Sequence, residues 1–269
     1  MPQRVDLFDS TYGHFTDSVL DAIRKETFGT DIGQNSWLTI DEYERLLPLL
    51  ELSAGGHALE VASGSGGPAL FLARATGCRV TGIDANESGV ATATKMAEGA
   101  GEAGRVRFQR ADADSSLAFA DGTFDALLCI DSMNHFPNRL EVLREWRRVL
   151  RAGRRALFTD PVVITGPVTN DELALRSSIG LFLFVPKGVN EALIAQAGFR
   201  LIRQEDVTAN AALVSGRWHR ARQARKDDLL RIEGEERFEG LQRFFEAVHT
   251  LTSEKRLSRI AYVVEKPAD

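Results

Sequence analysis

Two periodicities divide the chain. Up to about residue 52 the apolar positions recur at helical spacing in two pieces, around 15–28 and 40–52. Thr39-Ile-Asp-Glu42 has the Ser/Thr-x-x-Glu form of a capping box that opens the second piece. From His57 onward short β-rich runs alternate with longer helical ones, the order of a parallel α/β sheet. The runs at 58–62, 79–84, 106–111, 124–130 and 156–160 are expected strands, with helices at 68–75, 88–100, around Leu117 and at 139–150. Gly77, Asp121-Gly122 and Gly153 supply turns at the joints. Right-handed crossovers then set the carboxyl ends of the early strands along one rim, where a ligand is expected.

Beyond residue 160 the alternation loosens. Ile179-Gly-Leu-Phe-Leu-Phe-Val185 is an apolar segment stopped by Pro186, followed by a helix at 190–197, a sixth strand at 199–207 and a last strand at 259–264. Between those two strands a polar helical stretch carries Trp218, Phe238, Leu241, Phe244, Phe245 and Val248 at helical spacing, so it is expected to pack as a cap.

Composition narrows the classes. The 269 residues are 43% hydrophobic and 26% charged, a globular balance. Lys plus Arg number 33 against 38 Asp plus Glu, and the net charge of -5 has the wrong sign for a nucleic-acid partner. Cys78 and Cys129 stand in no CxxC or Cys/His spacing, so neither a disulfide framework nor a metal site is expected and a reducing, cytoplasmic setting is. No apolar run reaches the ~18 residues of a membrane span, and residues 1–10 lack the basic-then-apolar order of a signal peptide, so no membrane partner is expected.

The stretch from His57 to Ala69 runs an apolar strand into small residues and directly into a helix. Small residues let a cofactor approach the backbone, and a helix N-terminus offers free N–H groups to a carboxylate or phosphate. Gly64-x-Gly66-x-x-Ala69 satisfies the loose dinucleotide fingerprint, with Asp84 some 20 residues on as a ribose-binding acid. Alone, this permits a nicotinamide-dependent oxidoreductase.

The longer pattern Glu60-x-Ala62-Ser63-Gly64-Ser65-Gly66 resembles instead motif I of the class I S-adenosylmethionine-dependent methyltransferases, Glu-x-Gly-x-Gly-x-Gly, with Ala62 in place of the first glycine. The resemblance continues in order: Val80-Thr-Gly-Ile-Asp84, Arg110-Ala-Asp112-Ala113, Phe124-Asp-Ala-Leu-Leu-Cys-Ile-Asp131 and Arg147-Arg-Val-Leu-Arg-Ala-Gly-Arg154 match the later motifs. It implies an α/β, Rossmann-like fold: a seven-stranded, mostly parallel sheet with helices on both faces. An N-terminal helical lid over 1–52 would precede a methyltransferase domain over 53–269, with a helical insertion before the last strand capping it at about 208–256. The implied cofactor is S-adenosylmethionine, leaving as S-adenosylhomocysteine.

Under this resemblance Asp84 accepts from both ribose hydroxyls, and Ala85 leaves room for adenine. Asp112 accepts from the adenine amine while the Ala113 N–H donates to a ring nitrogen. Glu60 supports the loop of Ala62, Ser63, Gly64 and Gly66 and the amino end of the cofactor. The backbone at Asp131 and Ser132 holds the methionine part, with Met133 close by. Methyl transfer from a sulfonium is an in-line displacement that rests on alignment, and a hydroxyl or ammonium acceptor must also lose a proton. His135, in Asp131-Ser-Met-Asn-His-Phe-Pro137, follows the fourth strand and has a suitable pKa for that base; packing against the cofactor is the competing role.

The acceptor is expected to be a small, partly apolar molecule methylated on nitrogen or oxygen, in a pocket lined by His14, Trp37, Phe182, Phe184 and Trp218. Gln34 and Asn35 join Trp37 in a segment that either closes the site or anchors the lid. The arginines of 144–155 read as a solvated helix face, and so do those of 217–226, with attraction of an anionic substrate as the alternative for the second run. Carbon methylation, an oxidoreductase and a cofactor-binding module without catalysis are the other functions this sequence allows.

Overall fold

A computed structural model describes Tyr12 and residues 17–268. The chain enters through α1 (Ser18–Phe28) and α2 (Ile40–Leu46), which continues as a 3-10 turn (Leu47–Leu50). Thr39 caps α2 by accepting from the Glu42 N–H, but the box is not completed, since the Glu42 carboxylate turns inward to Arg259. The alternating region follows as β1 (His57–Val61), α3 (Gly67–Thr76), β2 (Arg79–Asp84), α4 (Glu87–Gly99), β3 (Val106–Arg110) and β4 (Phe124–Cys129). A 3-10 turn (Met133–His135) leads to α5 (Arg139–Val149), β5 (Leu150–Ile164) and α6 (Asn170–Arg176). The chain closes with β6 (Val185–Pro186), α7 (Val189–Gln196), β7 (Arg200–Asp206), α8 (Thr208–Gln223), α9 (Lys226–Glu233), α10 (Glu235–Ser253) and β8 (Leu257–Glu265).

The sheet runs β3-β2-β1-β4-β5-β8-β7, with β6 added beside β5. Pairings from β3 through β5 are parallel, and β8 lies antiparallel to both its neighbours. This is the expected mostly parallel sheet, its seven-strand order enlarged by the two-residue β6. Strand order reverses between β1 and β4, so the crevice for a ligand opens above their carboxyl ends.

Period-2 alternation sorts the core onto the two faces. Leu127 and Cys129 of β4 and Tyr262 and Val264 of β8 pack on one face with Trp146 of α5. Ala126, Leu128, Ala261 and Val263 pack on the other with Tyr43, Leu46 and Leu50 of the N-terminal segment. A third cluster joins Phe28 of α1 and Trp37 to Phe244, Phe245 and Val248 of α10.

Three expectations are corrected. No helix forms around Leu117; its N–H donates to Glu145 and its carbonyl accepts from Arg148, so the loop is stitched to α5. Strand β5 is far longer than 156–160 because β8 pairs with it from Arg155 to Ile164, and Gly153, with φ 71°, lies within β5 rather than before it. The arginines of 144–155 are not merely solvated: Arg148 also binds the Phe119 carbonyl and Asp121, Arg151 binds Asp125 and the Gly122 carbonyl, and Arg155 binds the Leu49 carbonyl and Glu51.

Candidate functional site

A cavity of about 420 Å³ opens at the crevice above β1 and β4, within the size range of small-molecule sites. One wall is the rim of the sheet: Glu60 near the end of β1 with Ala62, Ser63 and Gly64 beyond it, Asp84 ending β2 with Ala85 beyond it, Asp112 and Ala113 after β3, and Asp131, Ser132 and His135 after β4. A second part of the lining is aromatic, with Trp37, Phe182, Trp218, Phe244 and Phe245.

The β1–α3 turn is built by its backbone. Ala62 has φ 57°, a left-handed conformation that costs a residue with a Cβ about 1 kcal/mol; the glycine of the motif serves this position. The Ser63 N–H donates to the Ile83 carbonyl, the Gly64 N–H to Asp84 Oδ2 at 2.8 Å, and the Gly66 N–H to the Ser63 carbonyl. Gly66, at φ 83°, is the N-cap of α3. A Cβ on Gly67 would lie 2.2 Å from the Ile32 carbonyl oxygen. The bare Cα there lets the 31–37 segment close onto the turn, where Ser65 Oγ donates to the Gly33 carbonyl at 2.7 Å.

Asp84 receives the Gly64 N–H on one oxygen and the Asn86 N–H on the other, and burial lifts its pKa. Glu60 is more deeply buried, and burial together with the neighbouring Asp84 pushes its pKa up to about 8. Its Oε2 has no hydrogen-bond partner. A buried carboxyl oxygen left open at the cavity wall fits a cationic group such as an amino-acid ammonium. Asp112 is exposed and accepts the Asp114 N–H on Oδ1.

Asp131 does something sequence could not indicate. Its backbone is left-handed, φ 54°, and its carboxylate joins three remote segments. Oδ1 accepts from Thr159 Oγ1 at 2.7 Å and from Arg259 Nε at 2.6 Å, and Oδ2 accepts the Trp37 N–H at 2.8 Å. Fully buried Arg259 reaches Glu42 with its Nη1. Burial opposes charge on that guanidinium, yet Asp131 and Glu42 hold its pKa above the ordinary value.

His135 stands where the two parts of the lining meet. Nδ1 is 2.7 Å from the Leu181 carbonyl oxygen, and its ring meets Phe182 edge-on, centroids 4.9 Å apart. A carbonyl can only accept, so the neutral ring carries its proton on Nδ1 and its base lone pair on Nε2. Burial lowers its pKa, which favours that neutral form. The 181–185 segment is strapped down beside it: Arg139 binds Asp160, Asn190 and the Leu183 carbonyl, and the Leu183 N–H donates to the Asn134 carbonyl.

Of the residues singled out from sequence, Gly66, Met133 and Phe184 do not line the cavity, and His14 lies outside the described residues. Met133 is fully buried in the core beneath the rim. Trp37 lines the cavity and packs against Phe244 and Phe245. Asn35 lines the cavity, whereas Gln34 bonds only its own turn, through the Ile32 N–H and the Leu38 carbonyl. From the second arginine run only Arg222 reaches the cavity, ion-paired with Glu233.

Sequence reading missed Tyr12, Arg24 and Arg176. Tyr12 neighbours the chosen His14 and bonds Asn35 through its hydroxyl. Arg24 is held by Asp21 and Asp31. Arg176 ends α6, where a basic residue reads as a helix-terminus charge; nothing local marks it as buried. Among the described residues no group of three or more His, Cys, Asp or Glu is arranged to hold a metal.

A methyltransferase-domain family matches residues 59–158. Methyltransferase GfsG of Streptomyces halstedii is 36% identical over 61% of this chain and 60% of its own length. The 27-O-demethylrifamycin SV methyltransferase of Amycolatopsis mediterranei is 33% identical over 61% of each. O-methyltransferase rstn1 of Aspergillus nomiae is 31% identical over 59% of this chain and 71% of its own. The chain belongs to the class I S-adenosylmethionine-dependent methyltransferases. Its fold is shared end to end by the cyclopropane synthase MmaA2 of Mycobacterium tuberculosis, TM-score 0.83 at 16% identity, covering 97% of this chain and 98% of that one. The match spans about 60% of the length of the first two relatives. S-adenosylmethionine is the cofactor of this methyltransferase family, and both acids of the β1 and β2 ends, Glu60 and Asp84, line the cavity.

Proposed function

We propose that this methyltransferase methylates an oxygen, or alternatively a nitrogen, of a small and partly apolar molecule. S-adenosylmethionine, when bound, supplies an electrophilic methyl group on a sulfonium. Asp84, Asp112 and the Ala113 N–H hold its adenosine end in this reading. The loop of Ala62, Ser63 and Gly64, with Glu60 behind it and the backbone at Asp131 and Ser132 in front, holds its amino-acid end. Residues 1–52 serve as a lid and 208–256 as a cap, enclosing the acceptor against Trp37, Phe182 and Trp218.

The observation that carries this reading is the position of His135. Neutral and fixed through Nδ1, it stands between the acid-lined rim and the aromatic wall. There Nε2 takes the proton of an acceptor hydroxyl as the new O–C bond forms, or that of an acceptor ammonium before its nitrogen attacks. The names of two relatives, a 27-O-demethylrifamycin SV methyltransferase and an O-methyltransferase, favour oxygen. Both cysteines are free and buried, which supports a reducing, cytoplasmic setting.

Calorimetry with S-adenosylhomocysteine and with NAD tests the cofactor, and turnover with hydroxylated aromatic and polyketide acceptors tests the reaction. Binding of NAD in preference to S-adenosylhomocysteine would overturn the proposal in favour of an oxidoreductase.

A further inference from the structure

Arg176 is 1% exposed, lines the cavity and has no hydrogen-bond partner for Nη1. Among the described residues no carboxylate forms an ion pair with it. The two acids whose fields reach it, Asp131 and Asp160, are engaged elsewhere. Asp131 serves Arg259, Thr159 and the Trp37 N–H; Asp160 serves Arg139, Asn190 and the Val162 N–H.

What does touch the guanidinium is aromatic. Its carbon lies 4.5 Å from the Phe182 ring centroid, 5.1 Å from that of Phe244 and 5.9 Å from that of Trp37. Aromatic rings attract the cation but are poor acceptors for its N–H groups, which are left for another partner. Burial lowers the pKa to about 9, so the group still carries its charge at neutral pH. Other buried arginines near the site have an acid: Arg222 has Glu233, and Arg259 has Asp131 and Glu42. A buried charge without a counter-ion is costly, and a ligand anion is the group that would offset it.

We propose that Arg176 is a specificity-determining residue that receives a carboxylate, or a similarly ionised oxygen, carried by the apolar acceptor. Phe182 is shared between Arg176 and His135, so the anion docks beside the base and fixes which acceptor atom faces it. The inference rests on the aromatic wall being the acceptor side of a methyltransferase site.

The test uses 1-naphthoate and its methyl ester as probes, titrated into the full chain with S-adenosylhomocysteine present and followed by Trp fluorescence and calorimetry. The acid is expected to bind at least tenfold more tightly than the ester. Arg176→Gln is expected to abolish that preference, with S-adenosylhomocysteine affinity kept and Arg176→Lys restoring part of it. Equal binding of acid and ester by the wild type, absence of binding by the acid, or a preference surviving in R176Q would each overturn the proposal. The wild-type comparison decides even if the variants do not fold. Failure of S-adenosylhomocysteine itself to bind would instead overturn the methyltransferase reading beneath it.

Discussion

Arg259 on β8 donates from Nε to Asp131 just after β4, 2.6 Å apart and with both side chains nearly fully buried. The same carboxylate accepts the Trp37 N–H, so one acid fastens the N-terminal segment to the sheet at the cavity rim. Asp131→Asn keeps the shape but leaves Arg259 short of charge. The expected loss is about 3–5 kcal/mol of stability, read from urea unfolding. An unchanged midpoint would show that Glu42 alone suffices.

Glu60 ties stability to pH. Its folded pKa, about 8, lies above the ordinary 4.5, so between these values the folded state holds the proton more tightly than the unfolded one. Stability then falls as pH rises through that window and levels off above it. Glu60→Gln is expected to flatten the fall in the cofactor-free protein. Melting temperatures at pH 5 and pH 8.5 provide the check, and parallel curves for the two proteins would count against it.

His135 predicts a different pH signature. With its pKa below the ordinary 6.5, the neutral base persists into mildly acidic solution, and the acid limb of kcat is expected below that value. His135→Gln should slow turnover about 10²–10⁴-fold with S-adenosylhomocysteine affinity retained. A rate within a factor of two of wild type would assign the ring to packing alone.

Ala62 occupies a left-handed position where motif I has glycine. Ala62→Gly relieves the Cβ clash but frees the unfolded chain, so the net gain is expected to be at most about 1 kcal/mol. Ala62→Val, branched at Cβ, should destabilise the turn and weaken S-adenosylhomocysteine binding. Thermal unfolding with and without that ligand separates the two effects.

Among the described residues no three His, Cys, Asp or Glu side chains are grouped as a metal site would group them. Turnover is expected to persist in EDTA, and loss restored by magnesium would contradict it.

Much of this architecture was legible in residue order alone. The strands β1 to β4, the turn at Ala62 to Gly66 and the acids Asp84 and Asp112 depend on periodicity and on backbone demands within a few residues. Each such signal is complete in its own segment. The tertiary structure decided whatever needed a distant partner. β5 extends because β8 comes beside it, the segment around Leu117 stays a loop because Glu145 and Arg148 hold its backbone, and Glu42 leaves its expected cap for Arg259. Arg176 is the clearest case. Its local sequence is that of an ordinary helix end, and only the approach of Phe182, Phe244 and Trp37 makes it a buried cation facing the cavity. Hydrophobic spacing records which side of an element faces inward; which charge meets which is settled when remote segments converge.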